Sequence, residues 1–490
     1  MRVPAAERGL KFPWAALVGS LALLLLLRLA SLDLPLDRDE GEYATLAWAW
    51  MRGLGLPYRD FLEQKPPLAI LAYGAAFFSG GFSVLSLRVF ALLWQALSCA
   101  ALFALAWRLS RSGRTAFLAA ALYAALSASG AVQGLSANTE SFVSLPMLGT
   151  LGVLSYGRGR RHWLLAGIFI GLAGLAKQSA LPAALLVPLT LGMREDGPWK
   201  GRLRALSACL AGAAAPWALC LFAFAFAGAA GAFWRCVIAY NLEYAGQGLP
   251  AQASALGSGL KHLGREEWAL WIALGFAARA AWQGGLPGSG AAWAWLGAMF
   301  LGCMLSGRYY PHYFQVLAAP TALLVALGFS AQPRVWLRRG LVAAFALVFI
   351  FKNFALWAAP DGAARSELLY GLPAFARAPQ TAEALARATP EGSRILVWGS
   401  EAELYFLSRR RPATRFLFHY PFSGEAPRWG GGDDEVLAAM EDPATAAVLL
   451  VAGLDRNDPM QKKMGLLLQK NYELRFDLAP GALMGVRKRP

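Results

Sequence analysis

Long apolar segments recur through the first 358 residues of this 490-residue chain. A helix needs about 20 mostly apolar residues to cross a bilayer. About eleven segments are predicted to be transmembrane helices: residues 14–34, 84–107, 115–132, 141–156, 163–176, 179–192, 205–229, 267–283, 290–306, 314–331 and 340–358. Only 16% of the residues are charged, against about 25% in soluble globular proteins. The sequence therefore predicts a polytopic α-helical membrane protein.

The net charge of +16 would suit a nucleic-acid-binding protein, but its distribution does not. Lys and Arg cluster in short loops between the apolar segments, as at residues 108–114, 158–161 and 334–339. Such basic loops are typical of the cytoplasmic side of a membrane. We therefore expect membrane lipids and no nucleic acid as partners. We expect a cytoplasmic (inner) membrane location, with the other loops extracytoplasmic.

Residues 359–490 differ from the preceding chain because they carry more charge and no spanning segment. Strands are predicted at 394–399, 446–451, 472–477 and 482–487, with helices at 401–408 and after Pro459. Strands that alternate with helices indicate an α/β domain. We expect a transmembrane domain at 1–358 and a soluble extracytoplasmic α/β domain at 359–490. The latter has no Gly-rich phosphate-binding pattern.

A cluster of acids follows the first apolar segment, in the predicted extracytoplasmic loop 33–83. If Asp39 opens a helix, Glu42 and Tyr43 lie on the same face as Asp39, with Glu40 beside them. A carboxylate at the membrane surface can accept a proton from a hydroxyl as a general base. The same acids would also suit the first turn of an ordinary surface helix, whose dipole favours negative charge.

Lys65 stands before two prolines that lead into an apolar stretch at 67–82, which is too short to span and is predicted to be a juxtamembrane helix. A residue before proline is held extended, so the backbone at Lys65 is expected to be rigid. Its ammonium could hold a phosphate as a point charge. It could equally reach to the membrane surface as long basic side chains do.

Isolated polar groups occur near the outer ends of several predicted spans. Glu140 and Lys177 interrupt apolar surroundings, where charge is costly and usually functional. Arg308, Tyr309 and His312 form a cationic and aromatic group, which could bind phosphate or anchor at the interface. The predicted topology puts all of them on the side of the acidic loop, which favours one shared site.

A divalent metal is a further possibility for this site. The carboxylates could hold it together with His312 or His262. The chain has only four histidines, however, and their spacing is not that of a metal site. The sequence therefore identifies no particular cofactor. A divalent metal is a possibility, and the sequence assigns no ligands to it.

Two motifs in the first loop resemble those of the GT-C membrane glycosyltransferases. They are Asp-Glu-Gly-Glu-Tyr-Ala at residues 39–44 and Lys-Pro-Pro-Leu at residues 65–68. The resemblance is to the glycosyltransferase family 39-like group of bacterial protein mannosyltransferase and aminoarabinose transferase relatives. Residues 174–178 and 307–314 add to it, and it covers about residues 14–358.

The resemblance implies a transferase that uses a polyprenyl-phosphate sugar at the outer membrane face. It implies that Asp39 is the catalytic carboxylate, that Glu140 is a second acid of the site, and that Lys65 contacts the lipid phosphate. In aminoarabinose transferases a Glu precedes that Lys and helps to bind a metal. Here Gln64 stands in that place, so the resemblance does not extend to this metal ligand.

Chemistry on the residues agrees with these roles. Asp39 would deprotonate an acceptor hydroxyl, and the attack would displace the lipid phosphate with inversion. Lys65 and Arg308 would stabilise the departing phosphate, while Glu140 would orient the acceptor or a cation. The acceptor could be a protein, a lipid or a glycan.

Two other functions use the same features. A transporter or flippase for a lipid-linked sugar would use the charges for binding alone, although the inverted repeats common in transporters are not evident. A non-catalytic membrane scaffold that presents the α/β domain would leave the acidic loop unexplained.

Overall fold

The structure is a computed structural model that describes residues 11–157, 159–191, 199–245, 249–266, 268–283, 289–305, 308–331, 334–423, 428–475 and 481–488. Helices form most of residues 11–358. They are α1 (Trp14–Arg28), α2 (Arg38–Met51), α3 (Leu68–Gly80), α4 (Val84–Ser110), α5 (Gly113–Leu126), α6 (Ser144–Tyr156), α7 (Arg160–Ala176), α8 (Ala183–Leu191), α9 (Lys200–Phe226), α10 (Ala230–Trp234), α11 (Tyr240–Ala245), α12 (Leu249–Glu266), α13 (Trp268–Trp282), α14 (Ser289–Leu305), α15 (Ala318–Ala331) and α16 (Val335–Ala358).

Five continuous helical stretches among the described residues are long and apolar enough to cross a membrane. They are Trp14–Ser31, Val84–Ser110, Lys200–Phe226, Pro311–Ala331 and Val335–Ala358. Four of the other predicted spans coincide with shorter apolar helices: Gly113–Leu126, Gln178–Thr190, Trp271–Ala280 and Ser289–Leu305. The remaining two coincide with α6, of 13 residues, and α7, of 17 residues. The polytopic α-helical membrane class predicted from the sequence is confirmed, and each predicted span coincides with a helix whose ends differ by a few residues.

The chain departs from regular helix where polar groups enter the apolar segments. Lys177 ends α7 in an extended conformation, and a single 3₁₀ turn at Gln178–Ala180 leads towards α8. Another predicted span, residues 115–132, ends earlier than expected, because α5 stops at Leu126 and a 3₁₀ turn follows at Gly130–Val132. These interruptions leave polar backbone and side chains at one end of the bundle.

Helix α2 begins at Arg38, one residue before the predicted start, because Asp37 is its N-cap. The Asp37 side chain accepts from the Glu40 amide at 2.9 Å, and the Glu40 carboxylate accepts from the Asp37 amide at 3.1 Å. Such a reciprocal capping box satisfies two backbone donors that have no partner within the helix.

The C-terminal region contains helices and a small sheet. The helices are α17 (Gly362–Tyr370), α18 (Pro373–Ala388), α19 (Glu403–Ser408), α20 (Gly432–Glu441) and α21 (Pro459–Asn471). The strands are β1 (Arg394–Trp398), β2 (Arg411–Pro412), β3 (Thr445–Leu450), β4 (Tyr472–Arg475) and β5 (Leu483–Arg487). The sheet order is β2-β1-β3-β5-β4, parallel from β2 to β3 and antiparallel beyond. The α/β prediction is therefore confirmed, although β2, α17, α18 and α20 were not predicted.

The C-terminal region packs directly on α2 and α3. Thr45 on α2 donates its hydroxyl to the Ala402 carbonyl at 2.7 Å. The rings of Phe77 on α3 and Phe406 on α19 stack with centroids 5.1 Å apart. These contacts bring the C-terminal region over the start of α2, where the acidic residues lie.

Candidate active site

A cavity of about 240 Å³ opens where the start of α2 meets the C-terminal region. Polar groups from the first loop lie in it, with Gln133 and Asn138 from the turns after α5 and His312 from the turn before α15. Aromatic side chains line much of the remaining wall. They are Tyr244, Tyr310, Tyr313, Tyr370, Phe375, Phe418 and Tyr420.

Lys65 lies at the centre of the charged part of this cavity. Its ammonium nitrogen is 3.3 Å from Asp39 Oδ1 and 3.6 Å from Glu42 Oε2. The same nitrogen lies 5.0 Å from the ring centre of Tyr43, which is fully buried beneath it. His312 completes the group, with Nε2 3.7 Å from Asp39 Oδ2. The structure therefore brings these five predicted site residues together.

The backbone of Lys65 is fixed by its neighbours in the first loop. Its amide donates to Glu63 Oε1 at 2.7 Å, and its carbonyl accepts from the Tyr58 hydroxyl at 2.9 Å. Glu63 and Tyr58 are both buried. The two following prolines lead into α3. The two hydrogen bonds hold the backbone of Lys65 in place, and the extended backbone expected before the prolines stays a prediction.

The electrostatics of the cavity depend on the Asp39–Lys65 pair. Burial disfavours a charged Asp39, but the charges of Lys65, His312 and Arg38 outweigh it and lower the pKa of Asp39 to about 2. Lys65 is likewise opposed by burial, yet Asp39 and the other acids raise its pKa well above the usual value. Asp39 is therefore an anion and Lys65 a cation at neutral pH.

Glu42 differs from Asp39 although both face Lys65. Burial, reinforced by the negative charge of Glu63, raises the pKa of Glu42 well above its usual value. Glu42 thus holds a proton more readily than Asp39 does. A protonated carboxyl can donate a hydrogen bond, so the two acids are suited to different tasks.

Glu40 does not face the cavity, contrary to its predicted substrate contact. It is fully buried and forms an ion pair with Arg88 from α4. It also accepts from the Ala137 amide at 2.5 Å. Arg88 in turn donates to the Leu34 carbonyl at 2.9 Å. This buried network joins α2, α4 and the chain after α5 beneath the cavity.

Glu140 is buried behind the cavity wall and forms an ion pair with Lys177, which is partly buried. Thr139 donates to Glu140 Oε2 at 2.9 Å. The Lys177 ammonium lies 3.3 Å from the ring centre of Tyr313, which lines the cavity. The pair therefore supports Tyr313 and lies beside the cavity, without lining it.

Arg308 and Tyr309 also lie outside the cavity lining. The Arg308 guanidinium carbon is 4.5 Å from the ring centre of Tyr244, which does line the cavity. Tyr309 donates its hydroxyl to the Met304 carbonyl at 3.3 Å, at the end of α14. The side chain of Tyr244 thus lies between Arg308 and the cavity, and the hydroxyl of Tyr309 contacts the end of α14.

Several lining residues were not predicted from the sequence. Gln133 contacts His312, with Oε1 3.1 Å from Nδ1, and Asn138 donates to Asp37 Oδ2 at 3.1 Å. Tyr420 of the C-terminal region lies 3.2 Å from Tyr244, hydroxyl to hydroxyl. Asn138 lies in a polar stretch next to Glu140, which could have indicated it. The aromatic residues of the C-terminal region carry no such local signal.

The arrangement of ligands does not favour a metal ion at this site. Among the residues that the structure describes, no three His, Cys, Asp or Glu side chains are grouped to hold one. The Lys65 ammonium lies between Asp39 and Glu42, the carboxylates that would be the nearest ligands. The side chain of His262, the other histidine considered from the sequence, lies outside the described residues.

Solved structures with the same architecture are found among membrane glycosyltransferases. ArnT from Cupriavidus metallidurans bound to undecaprenyl phosphate aligns over 97% of this chain and 98% of its own, at TM-score 0.57 and 17% identity. An Archaeoglobus fulgidus oligosaccharyltransferase tethered to an acceptor peptide containing the NVT sequon aligns over 97% and 74%, at TM-score 0.54 and 13% identity. No protein-family model and no curated protein sequence matches the chain.

The chain therefore has the GT-C fold, which is the fold that the motifs of the first loop predicted. The similarity runs through the C-terminal region as well as the helices, since it covers nearly the whole chain.

Proposed function

We propose that this chain is a membrane glycosyltransferase that moves a sugar from a polyprenyl-phosphate donor to an acceptor hydroxyl. The observation that carries the proposal is the Asp39–Lys65 pair, in which a base and a phosphate-binding cation lie 3.3 Å apart in one cavity. The fold supports it, because one structure with this fold holds undecaprenyl phosphate and another holds an acceptor peptide.

In this proposal the donor phosphate binds Lys65. An ammonium holds a phosphate as a compact point charge. When the phosphate neutralises Lys65, the main positive charge that lowers the pKa of Asp39 is removed. Asp39 then becomes a stronger base at the moment when the donor is in place. A general base works best when its pKa is near the operating pH.

The transfer step needs no other activating group. Asp39 takes the proton of the acceptor hydroxyl, and the oxygen attacks the anomeric carbon of the sugar. The bond from that carbon to the phosphate oxygen breaks, and the lipid phosphate leaves with the electron pair. Lys65, with Arg308 reaching past Tyr244, stabilises the charge that develops on the phosphate. Attack opposite the leaving group inverts the anomeric centre.

The remaining residues position the substrates. Glu42, which holds a proton readily, would donate a hydrogen bond to a sugar oxygen. The aromatic wall offers ring faces to an apolar or pyranose surface, as binding pockets commonly do. Glu140 and Lys177 act through Tyr313, which their ion pair supports. Glu140 is therefore a positioning residue in this mechanism and does not touch the acceptor.

The same proposal places the cavity and the C-terminal region outside the cytoplasmic membrane. The support is the distribution of charge, since the basic loops lie at the opposite ends of the predicted spans. An extracytoplasmic site suits the donor, because a lipid-linked sugar is already activated and needs no nucleotide.

The test is transfer by purified Asp39→Asn protein supplied with polyprenyl-phosphate sugars and a cell-envelope extract as the acceptor source. Loss of a general base should lower the rate about 10²- to 10⁴-fold. Asp434→Asn is the control, because Asp434 is exposed on α20, away from the cavity. Transfer by Asp39→Asn at the rate of the control would refute the assignment of the base. Movement of the lipid-linked sugar across vesicles without transfer, by the unmodified protein, would support the transporter alternative.

A further inference from the structure

Two guanidinium groups converge on one aromatic ring outside the candidate active site. The guanidinium carbon of Arg52 lies 5.6 Å from the ring centre of Phe82, and that of Arg409 lies 5.8 Å from the same centre. Arg52 follows the end of α2, whereas Arg409 follows the end of α19 in the C-terminal region. None of the three residues lines the cavity that holds Asp39 and Lys65.

The ring of Phe82 lies where an apolar helix leaves the membrane. Phe82 lies between the end of α3 at Gly80 and the start of α4 at Val84. Helix α4 is 27 residues long and apolar enough to span a bilayer. Two neighbouring apolar side chains are strongly exposed, Phe78 by 87% and Leu85 by 57%. Such exposure next to a spanning helix is expected where lipid chains cover the protein surface.

The two arginines have no acidic partner in the part of the chain that the structure describes. No described carboxylate oxygen lies within 4.0 Å of either guanidinium group. Arg409 donates to the Phe82 carbonyl at 2.5 Å, while its buried Nη1 has no hydrogen-bond partner. Burial, and then the positive charge of Arg52, lowers the pKa of Arg409.

This arrangement is unfavourable without an anion. Like charges near one ring repel each other, most strongly where the surroundings are of low dielectric. The contact of Arg409 with the ring of Trp48 helps to fasten the C-terminal region on α2, and its contact with the ring of Phe406 lies within that region. Those contacts do not explain why a second cation, Arg52, approaches the same ring.

We propose that Arg52 and Arg409 bind the phosphate headgroup of an anionic membrane phospholipid at Phe82. A planar guanidinium with several donors suits phosphate oxygens. Basic pockets between transmembrane helices bind anionic headgroups on the cytoplasmic side of membranes, and the same attraction of charges acts on an anionic lipid of the other leaflet. The acyl chains would lie along Phe78 and Leu85, and the headgroup would join the C-terminal region to the juxtamembrane helix α3. The proposal does not depend on the function proposed above.

The test is native mass spectrometry of the full-length protein in detergent with dioleoylphosphatidylglycerol added. Separate samples receive dioleoylphosphatidylcholine or inorganic phosphate. Arg52→Gln should weaken phosphatidylglycerol binding about fivefold, since one basic residue near an anionic membrane surface contributes about that factor. Arg52 is exposed and approaches the Phe82 ring only at 5.6 Å, so this variant should fold. Arg456→Gln, at an exposed arginine elsewhere in the C-terminal region, is the control with the same change of charge.

Arg409→Gln provides a second measurement, and the double variant should lose affinity beyond either single variant. Phosphatidylcholine should bind less tightly than phosphatidylglycerol, with no difference between the variants. Equal binding of phosphatidylglycerol by Arg52→Gln and Arg456→Gln would overturn the proposal. So would equal affinity for the two lipids. Displacement of phosphatidylglycerol by millimolar inorganic phosphate would show a site for free phosphate instead of lipid.

Discussion

Gly41 on α2 allows the C-terminal region to approach the candidate active site, and Gly41→Ala tests that contact. A Cβ atom at this position would lie 2.6 Å from the backbone nitrogen of Glu403 and 2.7 Å from its Cβ. Real Cβ atoms essentially never come closer than 3.0 Å to such neighbours. A flexible side-chain end could turn away, but the backbone of α19 cannot. Helix α19 must therefore move relative to α2.

The expected change in stability of Gly41→Ala is the balance of three contributions. Replacing glycine by alanine inside a helix normally stabilises a protein by about 1 kcal/mol. Overpacking a close contact costs about 1–3 kcal/mol. Displacement of α19 would also lengthen the hydrogen bond from Thr45 to the Ala402 carbonyl, now 2.7 Å, which is worth about 1 kcal/mol. Gly41→Ala should therefore destabilise the docked structure by about 1–3 kcal/mol.

The assay is thermal unfolding of detergent-purified protein, with sugar transfer measured in parallel. Gly74→Ala in α3 is the matched control, because the nearest neighbour of its new Cβ is Met51 Sδ at 3.8 Å. The control should be neutral or slightly stabilising. Adding Glu403→Gly to Gly41→Ala removes the side-chain contacts and should recover part of the loss. A melting temperature of Gly41→Ala at or above that of Gly74→Ala would refute the reasoning.

Three further predictions concern the charges and the aromatic wall. Lys65→Gln removes the main positive charge that holds the pKa of Asp39 near 2, so this pKa should rise. The acid limb of the residual kcat/KM profile against pH should then move to higher pH. An acid limb that does not move would contradict the pairing of Asp39 with Lys65. Arg88→Met leaves Glu40 buried without its partner and should destabilise the protein by about 3–5 kcal/mol, and Glu40→Gln in the same chain should recover part of that loss in thermal unfolding. Tyr420→Phe breaks the hydroxyl contact with Tyr244 that helps to hold the aromatic wall, which is proposed to offer ring faces to a pyranose, and should raise KM for the sugar donor while KM for the acceptor stays constant. The reverse pattern would assign the aromatic wall to the acceptor.

The parts of the fold that sequence predicted well are those with a local signal. The apolar run at 84–107 corresponds to α4, and the hydrophobic stretch at 446–451 corresponds to β3 at Thr445–Leu450. Strand β2 has only two residues and pairs in parallel with β1. So short a strand has no periodicity of its own and is defined by its partner. The break after α7 is a similar case. The sequence shows the polar residues at this break but gives no signal of its 3₁₀ geometry.

The candidate site shows what isolated charges in apolar segments can and cannot predict. Charge is costly in apolar surroundings, which indicates Glu140 and Lys177 as candidate site residues, and the same argument applies to Arg88. The structure pairs all three: Glu140 with Lys177, and Arg88 with Glu40. The cost of burial therefore predicts that each charge has a partner, but pairing alone does not bring a residue to the cavity. Lys65 differs from these residues because the side chain of its partner Asp39 remains 21% exposed. A substrate can therefore reach the Asp39–Lys65 pair.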